Sequence, residues 1–76
     1  MTLDTLKDNE EAYILGFNAE KNLQNRLFSF GFVKNKKVKK IRSSAANSTI
    51  MVELDTSCVI LRLNEAKTIL VSKELK

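Results

Sequence analysis

The segment Leu23–Val38, reading LQNRLFSFGFVKNKKV, constrains this chain more than any other. Leu23, Leu27 and Phe30 have the i, i+4, i+7 spacing of one helix face, while Asn22 and Arg26 point elsewhere. The stripe stops on Gly31, one of only two glycines. A glycine directly after the last apolar helical residue stands where a left-handed C′ position falls. With Gly31 at C′, Phe32 is C″ and Leu27 is C3, the pair that touches in a Schellman motif. A helix this short is not stable alone, so it must dock on what the rest of the chain builds. A lysine-rich strand follows at once.

The other apolar runs read as strands. Residues 1–9 carry Leu3 and Leu6 at a spacing that suits one helical turn or an irregular lead-in. Glu11–Gly16 is a first strand, with Ala12 and Ile14 alternating against Tyr13 and Leu15. Asn18 caps a helix over Ala19–Phe30, with Glu20 in the favourable first turn. Lys36–Ser44 is a second strand, although Val38 and Ile41 are three apart instead of two. Either a β-bulge absorbs the extra residue or the strand changes face. Ala45-Ala46-Asn47-Ser48 is a turn, and Thr49–Leu54 alternates with Ile50, Val52 and Leu54 inward. Asp55-Thr56 turns tightly into Ser57–Arg62. Asn64-Glu65-Ala66 suits one 3₁₀ turn, and Thr68–Ser72 closes as a last strand. Five short strands with polar turns predict a mainly β fold, a small antiparallel barrel or sandwich in a single domain over 1–76.

Composition bounds the function. A chain of 76 residues forms one modest core, with about 60% of its unfolded surface buried. That leaves little room for an internal cleft. The absence of proline leaves asparagine to take some tight turns, since it tolerates positive φ better than most residues. No basic and apolar leader opens the chain, and the longest apolar run, Cys58–Leu61, is far short of a membrane span. A lone cysteine forms no disulfide framework. These features fit a reducing cytoplasm.

Catalytic chemistry lacks its parts. There is no histidine, so the usual general base near neutral pH and the commonest nitrogen ligand are both missing. Cys58 has no histidine to activate it and lies in an apolar strand, where it reads as a buried, inert thiol. Gly16 and Gly31 are too far apart for a phosphate-cradling loop. The chain reads as a non-enzyme. Asp4, Asp8, Glu10 and Glu11 could hold a hard divalent ion weakly, but no ligand-spacing motif is present and a solvated lead-in is preferred. No metal or cofactor is expected.

Charge is concentrated in Lys34–Arg42, where six of thirteen basic residues fall with no acid among them. Such a stripe can track a phosphate backbone. Without interleaved aromatics and with a net charge of only +4, edge protection or docking to an acidic protein surface is preferred. Four of five aromatics, Phe17, Phe28, Phe30 and Phe32, cluster around the helix. Phe30 suits the core, and Phe28 lies about 100° around from Leu27 and points outward.

In this order the features resemble the bacterial ferrous iron transport protein A family, small SH3-like companions of a membrane iron transporter. The matching positions are the Leu3/Leu6 pair, Ala12–Ile14, the helix end Arg26-Leu27-Phe28-Ser29-Phe30-Gly31-Phe32, Lys34-Asn35, Val38, Leu61-Arg62, Glu65-Ala66 and Ile69–Val71. Asn9, Asn35 and Asp55 stand where the family typically has glycine, and a turn proline is missing. The resemblance implies an SH3-like five-stranded antiparallel barrel with one short helix between strands 1 and 2. It also implies a cytoplasmic accessory that contacts the GTP-binding region of the transporter. Tyr13, Phe28, Phe32, Lys36, Lys37, Lys39 and Lys40 are the expected contact residues. The alternatives are a nucleic-acid-binding barrel using Lys34–Arg42, and a weak iron sensor using the acidic lead-in.

Overall fold

The computed structural model describes residues 1–44, 48–55 and 57–74. A 3₁₀ turn at Leu3–Thr5 leads into β1 (Glu11–Phe17), α1 (Lys21–Ser29), β2 (Lys37–Ser43), β3 (Thr49–Leu54), β4 (Ser57–Arg62), α2 (Leu63–Ala66) and β5 (Ile69–Ser72). All strand pairs are antiparallel, in the order β4-β3-β2-β1-β5. The five strands and the helix between the first two stand as the sequence predicts. α2 touches both β4 and the 3₁₀ turn, which touches β5, so the two margins of the sheet meet over one core. The turn expected at Ala45–Ser48 lies mostly outside the described residues, as does Thr56 of the Asp55-Thr56 turn.

The helix end is built as its glycine predicts. Gly31 has φ +102°. The Phe32 N–H donates to the Leu27 carbonyl and the Gly31 N–H to the Phe28 carbonyl, both at 3.0 Å. These are the 6→1 and 5→2 bonds of a Schellman motif, and Leu27 and Phe32 are both fully buried behind it. The other helix end differs from expectation. Glu20 is the N-cap, without a side-chain capping bond, while the Asn18 N–H is drawn to the Thr68 carbonyl at 2.7 Å. Asn64-Glu65-Ala66 belongs to a short α-helix instead of a 3₁₀ turn.

Two register shifts bend the sheet. One lies at Leu15, between the pairs Ile14↔Val71 and Gly16↔Leu70. The other lies at Ile41, between Lys40↔Val52 and Arg42↔Met51, and answers the three-residue spacing in β2 with a bulge. Asn9 and Asn35 take positive φ, 66° and 70°, where the resemblance places glycine.

Candidate partner-contact surface

β2 is the middle strand of five, so its lysines protect no edge. That overturns the edge-protection reading of the stripe. Its cations are also divided among different partners. Lys36 pairs with Asp55, and Lys37 lies 3.4 Å from Glu11, two residues along β1 from its ladder partner Tyr13. Lys34, Lys39 and Arg42 have no ion pair to a carboxylate among the described residues.

Lys40 departs most from expectation. It is inward and only 8% exposed. Its Nζ donates to the Leu6 carbonyl at 2.8 Å and lies 3.6 Å from Asp8 Oδ1. Its backbone bonds both ways with the same lead-in: the Asn9 N–H donates to the Lys40 carbonyl at 2.6 Å, and the Lys40 N–H to the Glu10 carbonyl at 3.0 Å. Alternation from Val38 is the cause: Lys40 shares the inward face of Val38, and the register shift comes only after it, at Ile41. Lys40 is therefore a strut between β2 and the lead-in, and it leaves the set of contact residues.

The aromatic candidates separate in the same way. Phe32 is 0% exposed and fills the core beneath the Schellman turn, so it offers no surface to a partner. Tyr13 is half-buried on the outer face of β1, between Lys37 and Ser72. Phe28 is 43% exposed and stacks edge-on against Phe17, with ring centres 5.2 Å apart. Phe30, expected in the core, is 36% exposed and carries the Arg26 guanidinium over its ring at 5.5 Å. As C-cap of α1 it stands beyond the docked part of the helix. Val33 is exposed just past the turn, next to Lys34. Phe28, Phe30 and Val33 are thus three exposed apolar side chains close together in sequence at the end of α1, between Arg26 and Lys34. The i, i+2 spacing of Phe28 and Phe30 puts them on different helix faces, and counting a single apolar face misses their exposure.

Three acids of the lead-in pair with lysines, Asp8 with Lys40, Glu10 with Lys73 and Glu11 with Lys37, while Asp4 accepts from the Thr2 hydroxyl. Among the described residues, no three or more His, Cys, Asp or Glu side chains are placed to hold a metal ion together. Cys58, expected to be buried, is exposed on the outer face of β4 opposite Glu53. The run Cys58–Leu61 does not alternate in polarity, so the sequence carried no sign of which residues face out. Among the described residues no helix is long and apolar enough to cross a membrane.

The FeoA domain family model matches residues 1–73. The chain belongs to the FeoA family. It is 68% identical over 69 residues to a Campylobacter jejuni protein named as a candidate Fe(2+) transport protein A, covering 91% of this chain and 93% of that relative. Its fold is similar to the solution structure of a FeoA protein from Chlorobium tepidum, with 31% identity and a TM-score of 0.87 over 93% of this chain and 68% of that one. It is also similar to the crystal structure of zinc-complexed FeoA from Stenotrophomonas maltophilia, with 26% identity and a TM-score of 0.81 over 95% and 89% of the two chains. That protein is described as an SH3 domain protein. The SH3-like architecture expected for this FeoA domain therefore holds.

Proposed function

We propose that this FeoA-family chain is a non-enzymatic cytoplasmic accessory of a bacterial ferrous iron uptake system. In this reading it works by contacting the cytoplasmic GTP-binding region of the membrane iron transporter. Family membership and the naming of a close relative for Fe(2+) transport support the setting. The observation that carries the contact is the exposure of three large apolar side chains, Phe28, Phe30 and Val33, around the end of α1. Phenylalanine, the other aromatic residues and arginine are enriched at the core of protein–protein interfaces. Lys36, Lys37 and Lys39 serve in this reading as a charged rim, and Tyr13 as a second contact on the sheet. A barrel that tracked nucleic acid would need the Lys34–Arg42 cations free and aligned, and three of the six are held by Asp55, Glu11 and Asp8.

The test is titration of the isolated GTP-binding region with this chain and with a Phe28→Ser/Phe30→Ser variant. Saturable binding that weakens at least about tenfold in the variant supports contact through the end of α1, since a well-packed aromatic anchor contributes ~1–4 kcal/mol. Equal binding by both moves the contact elsewhere. No binding to any cytoplasmic segment of the transporter removes the reading.

A further inference from the structure

The two margins of the sheet are finished differently. β5 is covered on its outer side by the start of the chain: Thr2 bridges Leu70, and the Val71 N–H donates to the Met1 carbonyl at 2.9 Å. β4 has no such cover; among the described residues its only strand partner is β3. Its register against β3 runs without a shift from Thr49↔Arg62 to Leu54↔Ser57, so no bulge twists this edge away. Ser57–Leu61 carries no charge, and the chain has no proline to place there. Bulges, lysines and prolines are the usual defences of a sheet edge against another strand. β4 has none of them between Ser57 and Leu61. Ile60 on its outer face is 63% exposed, the most open of the large apolar side chains among the described residues.

We propose that the β4 edge pairs with the β4 edge of a second copy of this chain, antiparallel and two-fold symmetric about Ile60. The symmetry places Ile60 opposite itself, Val59 opposite Leu61, and Cys58 opposite Arg62. Residues an even number apart share a face, so every outward side chain meets an outward one and the two sheets continue as one. On the outer face Met51 already lies beside Ile60. The pairing therefore produces an apolar strip Met51–Ile60–Ile60–Met51 across the junction, capped at each end by Arg42, the neighbour of Met51.

Charge favours this register and this partner. Glu53 lies opposite Cys58 on β3. In the pair, the next position along that row is Arg62 of the second copy, two strands or about 9.6 Å from Glu53. The small Cys58 side chain between them leaves room for the long carboxylate and guanidinium arms to meet. The contact occurs twice by symmetry. A two-fold axis at Val59 would instead set buried Leu61 against Ser57 and lose both charge pairs. One pair of six-residue strands falls below the roughly 1,200 Å² of a standard interface, so the dimer is weak and forms at high local concentration.

Air-oxidation cross-linking and sedimentation test the register directly. Directly opposed residues have Cα atoms about 4.5–5.5 Å apart, within disulfide range. An Ile60→Cys/Cys58→Ser variant should cross-link at least about tenfold faster than an Asn25→Cys/Cys58→Ser control on the exposed helix face. The unmodified chain should be slow, because its two Cys58 residues would be offset by about 14 Å. Sedimentation of the unmodified chain up to about 1 mM should show concentration-dependent dimer that Ile60→Lys removes without changing the dichroism spectrum. Equal rates for the Ile60→Cys variant and the control, or fastest cross-linking through Cys58, overturn the proposal. So does a chain that stays monomeric throughout, which would leave this edge to a strand from a different protein.

Discussion

Arg26 Nη1 lies 3.0 Å from Glu65 Oε2, and this pair clasps α1 to the start of α2. The other oxygen of the same carboxylate accepts the Arg62 N–H at 3.0 Å, closing the first turn of α2. Glu65 is buried, whereas the Arg26 side chain is more than half exposed, so the ion pair is open to water on the arginine side. Glu65→Ala should lower stability by about 1–2 kcal/mol, the scale of a lost helix cap. Glu65→Gln, which can still accept from Arg62, should cost clearly less. Urea unfolding of the two variants measures the difference, and equal losses would remove the capping role.

The same clasp bears on nucleotide turnover. Arginine fingers raise GTPase rates by about 10³–10⁵ and must reach a γ-phosphate. Arg26 is held by Glu65 and lies over the Phe30 ring, while Arg42 and Arg62 are on strands. Adding this chain to the isolated GTP-binding region should change turnover less than about tenfold. A thousandfold stimulation lost in Arg26→Ala, Arg42→Ala or Arg62→Ala would show a catalytic arginine in place of an adaptor.

Gly31→Val should destabilise the chain by about 1–3 kcal/mol, because a β-branched residue is strained at φ +102°. A Cβ at Gly31 would also stand 3.4 Å from Leu54 Cδ1, whereas one at Gly16 would meet nothing within 4 Å. Gly16→Ala should therefore stay within about 0.5 kcal/mol of the parent. Melting temperatures that move equally for the two would contradict the Schellman geometry.

Lys40→Ala should cost about 1.5–3 kcal/mol, since it removes a charge-assisted bond and leaves the Leu6 carbonyl without that donor. Lys39→Ala on the opposite face should cost less than about 0.5 kcal/mol. A combined glutamine replacement of Lys36, Lys37 and Lys39 should likewise preserve the far-UV dichroism spectrum, because exposed ion pairs contribute only ~0–1 kcal/mol each.

Phe32→Ala should cost about 3–5 kcal/mol, as for other buried aromatics. Phe28→Ala, half in solvent, should cost much less while weakening contact with a partner. Chemical unfolding separates the two roles of these phenylalanines.

The strands were legible because Ala12/Ile14 and Ile50/Val52/Leu54 alternate with a clean period of two. Gly31 was legible because a left-handed stop has one favoured residue. What stayed hidden was orientation at places where period and polarity disagree. Alternation from Val38 turns Lys40 inward against its polarity, and the bulge that resets the strand falls one residue later, at Ile41. The uniform run Cys58–Leu61 gives no cue that Cys58 and Ile60 face out while Leu61 is fully buried. Strand order was equally invisible, and with it the central place of β2 that removes the edge role from its lysines.

The bridge between Thr2 and Leu70 has a consequence for how the chain is made. Leu3 and Leu6 are core residues synthesised before all five strands, yet the strand they lean toward, β5, is the last of the five to leave the ribosome. Until then β1 has a partner on one side only, and the lead-in has no margin to lie along. Contacts this distant in sequence close late and slow folding. Stalling translation before Ile69 should therefore hold the nascent chain open to protease at its beginning as well as at its growing end.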